Sequence, residues 1–417
     1  MALDLKPTKA DKTSYDRVTQ VKQFLEMHYE VKVNVFDTSK TIIEAKSEAA
    51  KKLHDKFSPT RKEIALHMEM ENVRGCKSIL NDLLESPNHI VTFNPITDYL
   101  NALDGKWKGD SQFEKLCSCI KMRDFGDKPE GYYQDRFRRI LRKWLVACIA
   151  NSLGAKANDV MFGLVHPDEG IGKTGFIKFL VPKALKAYYR ESGKNDKSFN
   201  LQEAFAKFFL VNFDEFHGIT KNNAEDVKQT VSANEYILSL RDTNAVPRMG
   251  NGAFTSNKSK EMGGFLHPNM GYRRWGTCEA ESINWKKMIE TVDVDQLYAE
   301  MYVLYKDADF DYVWNEQDDF LEFKEYNRRY LIETHAYRLV RENYRMPTEE
   351  DAEETIEFKQ PQEILKELRD GRKINSSMAD VSEVTIGLAL KALGYERKGK
   401  KIDRINSRYG YNVIKLF

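Results

Sequence analysis

A chain of 417 residues with 65 Lys and Arg against 64 Asp and Glu is nearly electroneutral, so no global field draws it to nucleic acid or to an anionic membrane; any basic surface has to be local. Hydrophobic content of 41% and charged content of 31% describe a soluble globular chain with material for roughly two to four domains, and no apolar run reaches the roughly 18 residues that a membrane span needs. The polar Met1-Ala-Leu-Asp-Leu-Lys-Pro7 carries no apolar signal core, and five scattered cysteines (Cys76, Cys117, Cys119, Cys148, Cys278) fit a reducing cytoplasm; Cys117-Ser118-Cys119 lacks a second Cys or His pair at zinc spacing and reads as structural.

In chain order, residues 1–14 are polar, Ser14–Glu30 has helical spacing (Val18, Val21, Phe24, Leu25), and Val31–Phe36 alternates as a half-buried strand. Lys46–Leu84 is mostly helical, with Ala65, Met68, Met70, Val73, Ile79, Leu80 and Leu83 on repeating faces. Nothing in residues 1–90 looks catalytic, and this α+β or helical region is expected to serve interaction or oligomerisation. Phe93-Asn-Pro-Ile-Thr-Asp-Tyr-Leu100 marks a boundary; in residues 91–159, Ser111–Ile120 and Gly131–Leu153 read as helices packing beside the domain that follows.

Residues 160–346 alternate strands and helices, the signature of a layered α/β domain with a parallel sheet. At its head an apolar strand, Met161–Val165, runs into a Gly-containing turn and then Gly172-Lys173-Thr174 opening a helix. That order suits a phosphate-binding loop, in which backbone N–H groups of a turn and a helix N-terminus converge on an anion. Asp168, Glu169, Gly170, Ile171, Gly172, Lys173, Thr174 and Gly175 would form the ATP cradle, Lys173 reaching the β- and γ-phosphates and the Thr174 hydroxyl ligating Mg²⁺. The pattern G-x-x-x-x-G-K-[ST] wants glycine where this chain has Pro167, so the motif needs support from elsewhere.

Phe208–Phe213 is an apolar run ending in Asp214-Glu215, as a buried parallel strand reads, with two acids at its carboxyl end. Asp214 could hold Mg²⁺ and Glu215 polarise an attacking water; the bland alternative is a core strand followed by a solvated turn. Gly252–Asn257 fits the next parallel strand, and the Asn257 amide at its tip could orient that water or serve only as a turn residue. Between the two strands, Tyr236–Arg241 and Arg248–Ala253 flank Asp242–Pro247 as a hairpin, making Lys228, Arg241 and Arg248 candidates for gripping a nucleic-acid backbone, or merely parts of a surface loop. In Gly271-Tyr-Arg-Arg-Trp275, Arg273 or Arg274 could neutralise a γ-phosphate bound by a neighbouring subunit, stack on Trp275, or pair with Glu279.

Residues 347–417 open on the acidic stretch Pro347–Glu354. Three short helices (Gln360–Leu368, Ser377–Val384, Ile386–Leu393), a basic turn Arg397-Lys-Gly-Lys-Lys-Ile-Asp-Arg404 and a closing strand Tyr409–Phe417 describe a winged helix. From Lys359 onward there are thirteen Lys and Arg against seven Asp and Glu, a surplus of six that supports DNA contact through Arg397, Lys398, Lys400, Lys401 and Arg404; a small packing domain with a solvated basic wing is the alternative.

Taken together, Phe93-Asn-Pro-x-x-Asp-Tyr-Leu, Arg142-Lys-Trp-Leu-Val, Glu169-Gly-Ile-Gly-Lys-Thr, Asn212-Phe-Asp-Glu, Arg248, Phe254-Thr-Ser-Asn257 and Gly271-Tyr-Arg-Arg-Trp resemble the virulence-associated protein E family, ATPases of mobile elements and phages related to superfamily 3 helicases. The resemblance implies an AAA+-like P-loop core that assembles as a ring, expected to be a hexamer, with ATP at subunit interfaces. It assigns Lys173 and Thr174 to the Walker A role, Asp214 and Glu215 to Walker B, Asn257 to sensor 1, and Arg273 or Arg274 to an arginine finger, with the hairpin before Asn257 lining a pore for single-stranded DNA. Pro167 departs from the family's glycine, which implies altered loop geometry with the cradle from Asp168 to Thr174 intact. Related proteins carry a primase ahead of this core; the first 90 residues are too few for one, so a separate primase or initiator is an expected partner.

The expected function is an ATP-driven DNA helicase or replication-initiation ATPase of a mobile element, acting on single-stranded and origin double-stranded DNA. An ATP-switched DNA-binding regulator without unwinding and a P-loop phosphotransferase are the alternatives.

Overall fold

The computed structural model describes residues 9–36, 41–54, 59–86, 89–193, 199–216, 224–238, 245–259, 263–267, 270–371, 373–375, 378–401 and 407–416. The chain divides into two compact units, Met1–Ala102 and Leu103–Phe417.

In the first unit the helix Lys9–His28 turns its Val21, Phe24 and Leu25 face inward and runs directly into β1 (Tyr29–Asn34). β2 (Ile42–Ala45) pairs antiparallel and β3 (Val91–Phe93) parallel with β1, giving the order β2-β1-β3. Helices Arg61–Met70 and Lys77–Leu84 complete the core with Ile64, Met68, Leu80 and Leu84; the first opens on a reciprocal cap between Thr60 and Glu63 that satisfies two otherwise orphaned N–H groups. The Tyr29 hydroxyl lies between His67 Nδ1 at 2.7 Å and His54 Nε2 at 3.0 Å. Burial, reinforced by the Glu63 charge, pushes its phenol up to about 12. β3 and the helix Pro95–Asn101, whose first N–H groups donate to Asn94 Oδ1, belong to this unit, so the Phe93–Leu100 stretch is part of it rather than a division ahead of it.

The second unit is built on a six-stranded sheet in the order β4-β11-β5-β10-β7-β6, formed by β4 (Ile120–Met122), β5 (Met161–Val165), β6 (Tyr189–Ser192), β7 (Leu210–Phe213), β10 (Asn251–Ser256) and β11 (Trp275–Ile283). All run parallel except β4, which pairs antiparallel with β11. The fold is therefore mixed α/β with a parallel sheet. Strands β5, β7 and β10 are buried at every position; β5 and β7 accordingly read as mainly apolar runs, while β10 buries Asn251, Thr255 and Ser256 as well. Ile120, expected as the end of a helix, instead starts β4; the helix is only Gln112–Cys117.

Helix Tyr132–Ser152 packs Phe137, Ile140, Leu141 and Trp144 into the core, with the Trp144 and Phe162 rings 5.4 Å apart. Its basic residues are anchored in ion pairs. Arg139 and Lys143 both bind the fully buried Asp319, at 2.6 and 2.8 Å, and Arg136 joins Glu322 and the Thr277 carbonyl while lying 3.6 Å over the Tyr326 ring. The Lys143-Trp144 pair of the sequence motif is thus architectural.

Short strands β8 (Glu235–Tyr236) and β9 (Val246–Pro247) pair antiparallel between β7 and β10 in the chain. The expected hairpin is displaced: its second limb is Val246–Pro247, while Arg248–Gly250 leads into the central sheet.

The last part gathers β12 (Tyr344–Arg345), β13 (Glu357–Lys359), β14 (Arg397–Lys401) and β15 (Ser407–Lys415), the first three all pairing with β15. Helices His335–Asn343, Pro361–Asp370 and Glu383–Leu393 share its core through Leu339, Val340, Ile364, Leu368, Ile386, Leu390 and Val413. The first of these helices precedes the acidic stretch. Ser377 lies outside the described residues, and Ser382 is extended (φ −134°), its hydroxyl accepting from Thr385 N. The two expected helices Ser377–Val384 and Ile386–Leu393 are therefore replaced by one, Glu383–Leu393.

Candidate active site

At the carboxyl end of β5 the chain enters a turn held by its own side chains. His166 Nδ1 accepts the Asp168 N–H at 3.0 Å across Pro167, the position where the loop pattern wants glycine. The left-handed conformations the turn requires fall instead on Gly170 (φ 84°) and Gly172 (φ 96°), which carry no Cβ to oppose them. Helix Lys173–Phe179 begins directly afterwards. The Lys173 ammonium, 6% exposed, donates to the His166 and Asp168 carbonyls at 3.0 and 2.7 Å. Burial holds its pKa below the ordinary lysine value; the charges of Glu215, Asp168, Asp214 and Glu169 oppose that shift.

β10 lies between β5 and β7, with Ser256 beside Val165 and Phe254 beside Phe213, so the tips of all three strands meet. Asp214 Oδ1 accepts the hydroxyls of Thr174 and of Thr255, the latter at 2.8 Å. Thr255 Oγ1 in turn accepts the Glu215 N–H at 3.0 Å, and the Asn257 amide donates to Glu215 Oε1 at 3.0 Å. Glu215 (φ 49°) and Phe216 (φ 59°) both hold the left-handed conformation, which costs a non-glycine residue about 1–3 kcal/mol. The buried Phe216 ring, wedged 4.8–5.2 Å from Phe254, Phe265 and Trp275, keeps the backbone there and aims Glu215 outward.

The result is a cleft of ≈ 280 Å³ lined by Glu169, Gly170, Gly172, Lys173, Thr174, Gly175, Asp214, Glu215, Thr255 and Asn257. Backbone N–H groups and an ammonium face two carboxylates and an amide across it, at the carboxyl ends of parallel strands where open α/β sheets hold ligands. A hydroxyl beside a carboxylate is a donor set for a hard divalent cation that keeps most of its shell for water and phosphate. Among the described residues no group of three or more His, Cys, Asp or Glu side chains forms a metal site of its own. Two lining or flanking residues carried no role in the sequence. Thr255 sits in the Phe254-Thr-Ser-Asn257 motif without a signal of its own, and Trp285, whose Nε1 donates to the Ile171 carbonyl at 3.0 Å, is 114 positions away from its partner.

Arg273 and Arg274 lie at the other end of the sheet. β11 begins with Trp275 beside Met161 and reaches Glu279 beside Val165, so the arginines are separated from the tip of β5 by at least four residues of strand, about 13 Å. Within one chain they face away from the cleft. The exposed Arg273 lies 5.4 Å over the Phe320 ring, and Arg274 binds Ser232 Oγ at 2.9 Å. Neither pairs with Glu279, whose buried carboxylate is taken by Arg123 at 2.6 Å and Tyr330 at 2.8 Å.

Arg248 requires a correction. It is 2% exposed, and its guanidinium donates to the carbonyls of Val231, Asn158 (2.8 Å) and Gly250 (2.9 Å) under the Phe205 ring. No part of it is free to grip a nucleic-acid backbone; it is a structural tie at the amino end of β10. Lys228 pairs with Glu225 at 2.9 Å on helix Ala224–Ser232. Arg241 and Arg404 lie outside the described residues. Arg397, Lys398 and Lys400 are exposed on β14, which also includes Lys401; Arg397 lies 5.1 Å over the Tyr409 ring. No helix among the described residues is long and apolar enough to cross a membrane, and all five cysteines are free and buried.

Among solved structures, the apo structure of the NrS-1 C terminal region is similar at 10% identity, with a TM-score of 0.43 over 96% of this chain and 99% of that one. Its A form is similar at 10% identity and a TM-score of 0.41, over 96% and 100% of the two chains. No curated protein matches. A family model, the virulence-associated protein E-like domain, matches residues 100–332, which takes in the whole cleft and both arginines. With more than half of its length matched, the chain belongs to the virulence-associated protein E-like family.

Proposed function

We propose that the chain is an ATP-hydrolysing DNA motor that serves the replication of a mobile genetic element, working as a ring of identical subunits. The single observation that carries this reading is the convergence of Lys173, Thr174, Asp214, Glu215 and Asn257 on one cleft from three adjacent strand ends. Lys173 and the turn N–H groups would bind the β- and γ-phosphates of ATP, and Thr174 with Asp214 would hold Mg²⁺, which supplies charge neutralisation on the phosphate oxygens. Glu215 and Asn257 would orient the attacking water, Glu215 taking up its proton.

The position of Arg273 and Arg274 supports assembly. They are too far from their own cleft to act there, so a role as arginine finger is one exercised on a neighbouring subunit. The helices His335–Asn343, Pro361–Asp370 and Glu383–Leu393 with the β14–β15 hairpin accord with a winged-helix arrangement, and exposed Arg397, Lys398 and Lys400 on that hairpin fit a duplex backbone. The β8–β9 hairpin, with Lys228 nearby, is the segment for single-stranded DNA in the ring pore.

The test combines ATP hydrolysis with and without single-stranded DNA, strand displacement, and sizing in the presence of nucleotide, for wild type and Lys173→Ala. DNA-stimulated hydrolysis by an oligomer, abolished in Lys173→Ala, is expected. Turnover that ignores DNA, from a persistent monomer, would sink the motor reading.

A further inference from the structure

Trp285 sits at the start of helix Trp285–Thr291, just beyond the end of β11, and its indole lies against the glycine turn. Two independent features mark the contact. The indole Nε1 donates to the Ile171 carbonyl at 3.0 Å. A Cβ placed on Gly172 would be 2.0 Å from that same Nε1, and one on Gly175 3.0 Å from the six-membered ring. The indole therefore packs flush on the backbone of the turn, in space that any side chain at 172 would need.

A trans peptide directs its C=O and the following N–H to opposite sides. No cis peptide bond occurs here, so with the Ile171 oxygen held by the indole, the Gly172 N–H points away from it. The adjoining Gly172–Lys173–Thr174 backbone lines the cleft.

We propose that Trp285 is a positioning residue for the phosphate-binding turn: its N–H fixes the Ile171–Gly172 peptide with the Gly172 N–H presented to an oxygen of the bound triphosphate. The proposal rests on the nucleotide reading of the cleft. It makes the turn pre-organised rather than ordered by its ligand, so that loss of the indole N–H weakens binding without altering the chemistry that follows.

Trp285→Phe keeps a ring on the turn and deletes the donor; Trp285→Leu removes the aromatic face as well. Equilibrium binding of ATP with Mg²⁺ and steady-state hydrolysis are measured on the full chain. Trp285→Phe should raise Kd and KM for ATP about five- to tenfold, the loss of one half-buried hydrogen bond, with kcat within about twofold of wild type. Trp285→Leu should be weaker still. In wild-type protein labelled with fluorotryptophan, one of the five indole fluorine resonances should shift on adding ATP. Wild-type affinity in Trp285→Phe, a fall confined to kcat, or the absence of any shifting resonance would overturn the positioning role while leaving the cleft a nucleotide site. A wild-type protein that binds no ATP overturns the nucleotide reading and this proposal with it.

Discussion

Asn257 and Glu215, at the tips of the neighbouring parallel strands β10 and β7, are joined by a 3.0 Å hydrogen bond from amide to carboxylate. Glu215 reaches that position in a left-handed backbone conformation that its neighbour Phe216 locks by burial. A strained, over-determined carboxylate at a strand end is one the fold holds for use. Glu215→Gln is expected to retain ATP binding and lose at least about 100-fold in hydrolysis, the usual contribution of a positioned base. Asn257→Ala should act in the same direction, with phosphate release as the readout. Unchanged turnover in Glu215→Gln would remove Glu215 from the chemistry.

Gly172→Ala confronts the turn with two penalties at once, a left-handed φ of 96° and an indole nitrogen 2.0 Å from the new methyl. ATP affinity should fall more than about tenfold, because the turn must move away from the indole to admit the methyl. Calorimetric titration of the purified variant decides this. Gly170→Ala, with φ of 84° but open space around the added carbon, should cost less.

Arg248→Ala should destabilise the whole second unit and leave DNA affinity per folded molecule unchanged. Removing the guanidinium takes a donor from three buried carbonyls, of which Gly250 keeps the Asn151 amide at 3.1 Å, at a cost of about 2–4 kcal/mol in urea unfolding. Arg248→Lys should recover little, since one ammonium on a flexible stem cannot span acceptors arranged for a planar fork. A stable Arg248→Ala protein defective only in DNA binding would contradict its structural role.

Tyr29 gives the first unit a pH signature. Its phenol is held at about 12 when folded, against an ordinary value near 10. The folded state therefore keeps a proton that the unfolded chain gives up. The associated stability is fully present below pH 10 and is lost as pH rises from 10 to 12. Burial also raises other phenols, Tyr133, Tyr236 and Tyr395 among them, so the readout is a difference: Tyr29→Phe should remove one phenol from the late part of the ultraviolet titration and flatten the matching part of the first unit's stability profile.

Lys398→Ala combined with Lys400→Ala should leave the melting temperature within about 2 °C, since both side chains are exposed on β14. Duplex binding should weaken regardless of sequence, and its dependence on salt should become shallower by about one unit of slope per lysine. An unaltered salt slope would remove the hairpin from the DNA surface.

How much of this was legible in the sequence depends on how local each signal is. β5 announces itself as an apolar run and β7 as one broken only by Asn212, because both sheet faces are covered; β10, Asn-Gly-Ala-Phe-Thr-Ser, is equally buried but half polar, and its place is legible only from its distance to the acids after β7. β4 and β6 do not announce themselves: at three and four residues, with Lys121, Arg190 and Glu191 within them, they are strands only because β11 and β7 lie alongside. Arg248, between Pro247 and Met249, and Arg397, between Glu396 and Lys398, are the same residue type, yet one is enclosed and the other exposed. Burial of an arginine is decided by carbonyls contributed from distant segments, Asn158 and Val231 in this case. Trp285 was invisible for the same reason, its hydrogen bond being made across 114 positions of chain.

The direction of β11 carries one last consequence. The strand starts beside the amino end of β5 and finishes beside its carboxyl end, so Arg273 and Arg274 are displayed on the face opposite the molecule's own cleft. Under the proposed function every working centre is then shared by two molecules, one contributing Lys173 and the next contributing the arginines. A Lys173→Ala chain and a chain lacking both arginines would each be inactive alone, yet mixing them would rebuild a fraction of intact centres. Conversely, small amounts of either would poison a wild-type population out of proportion to their number.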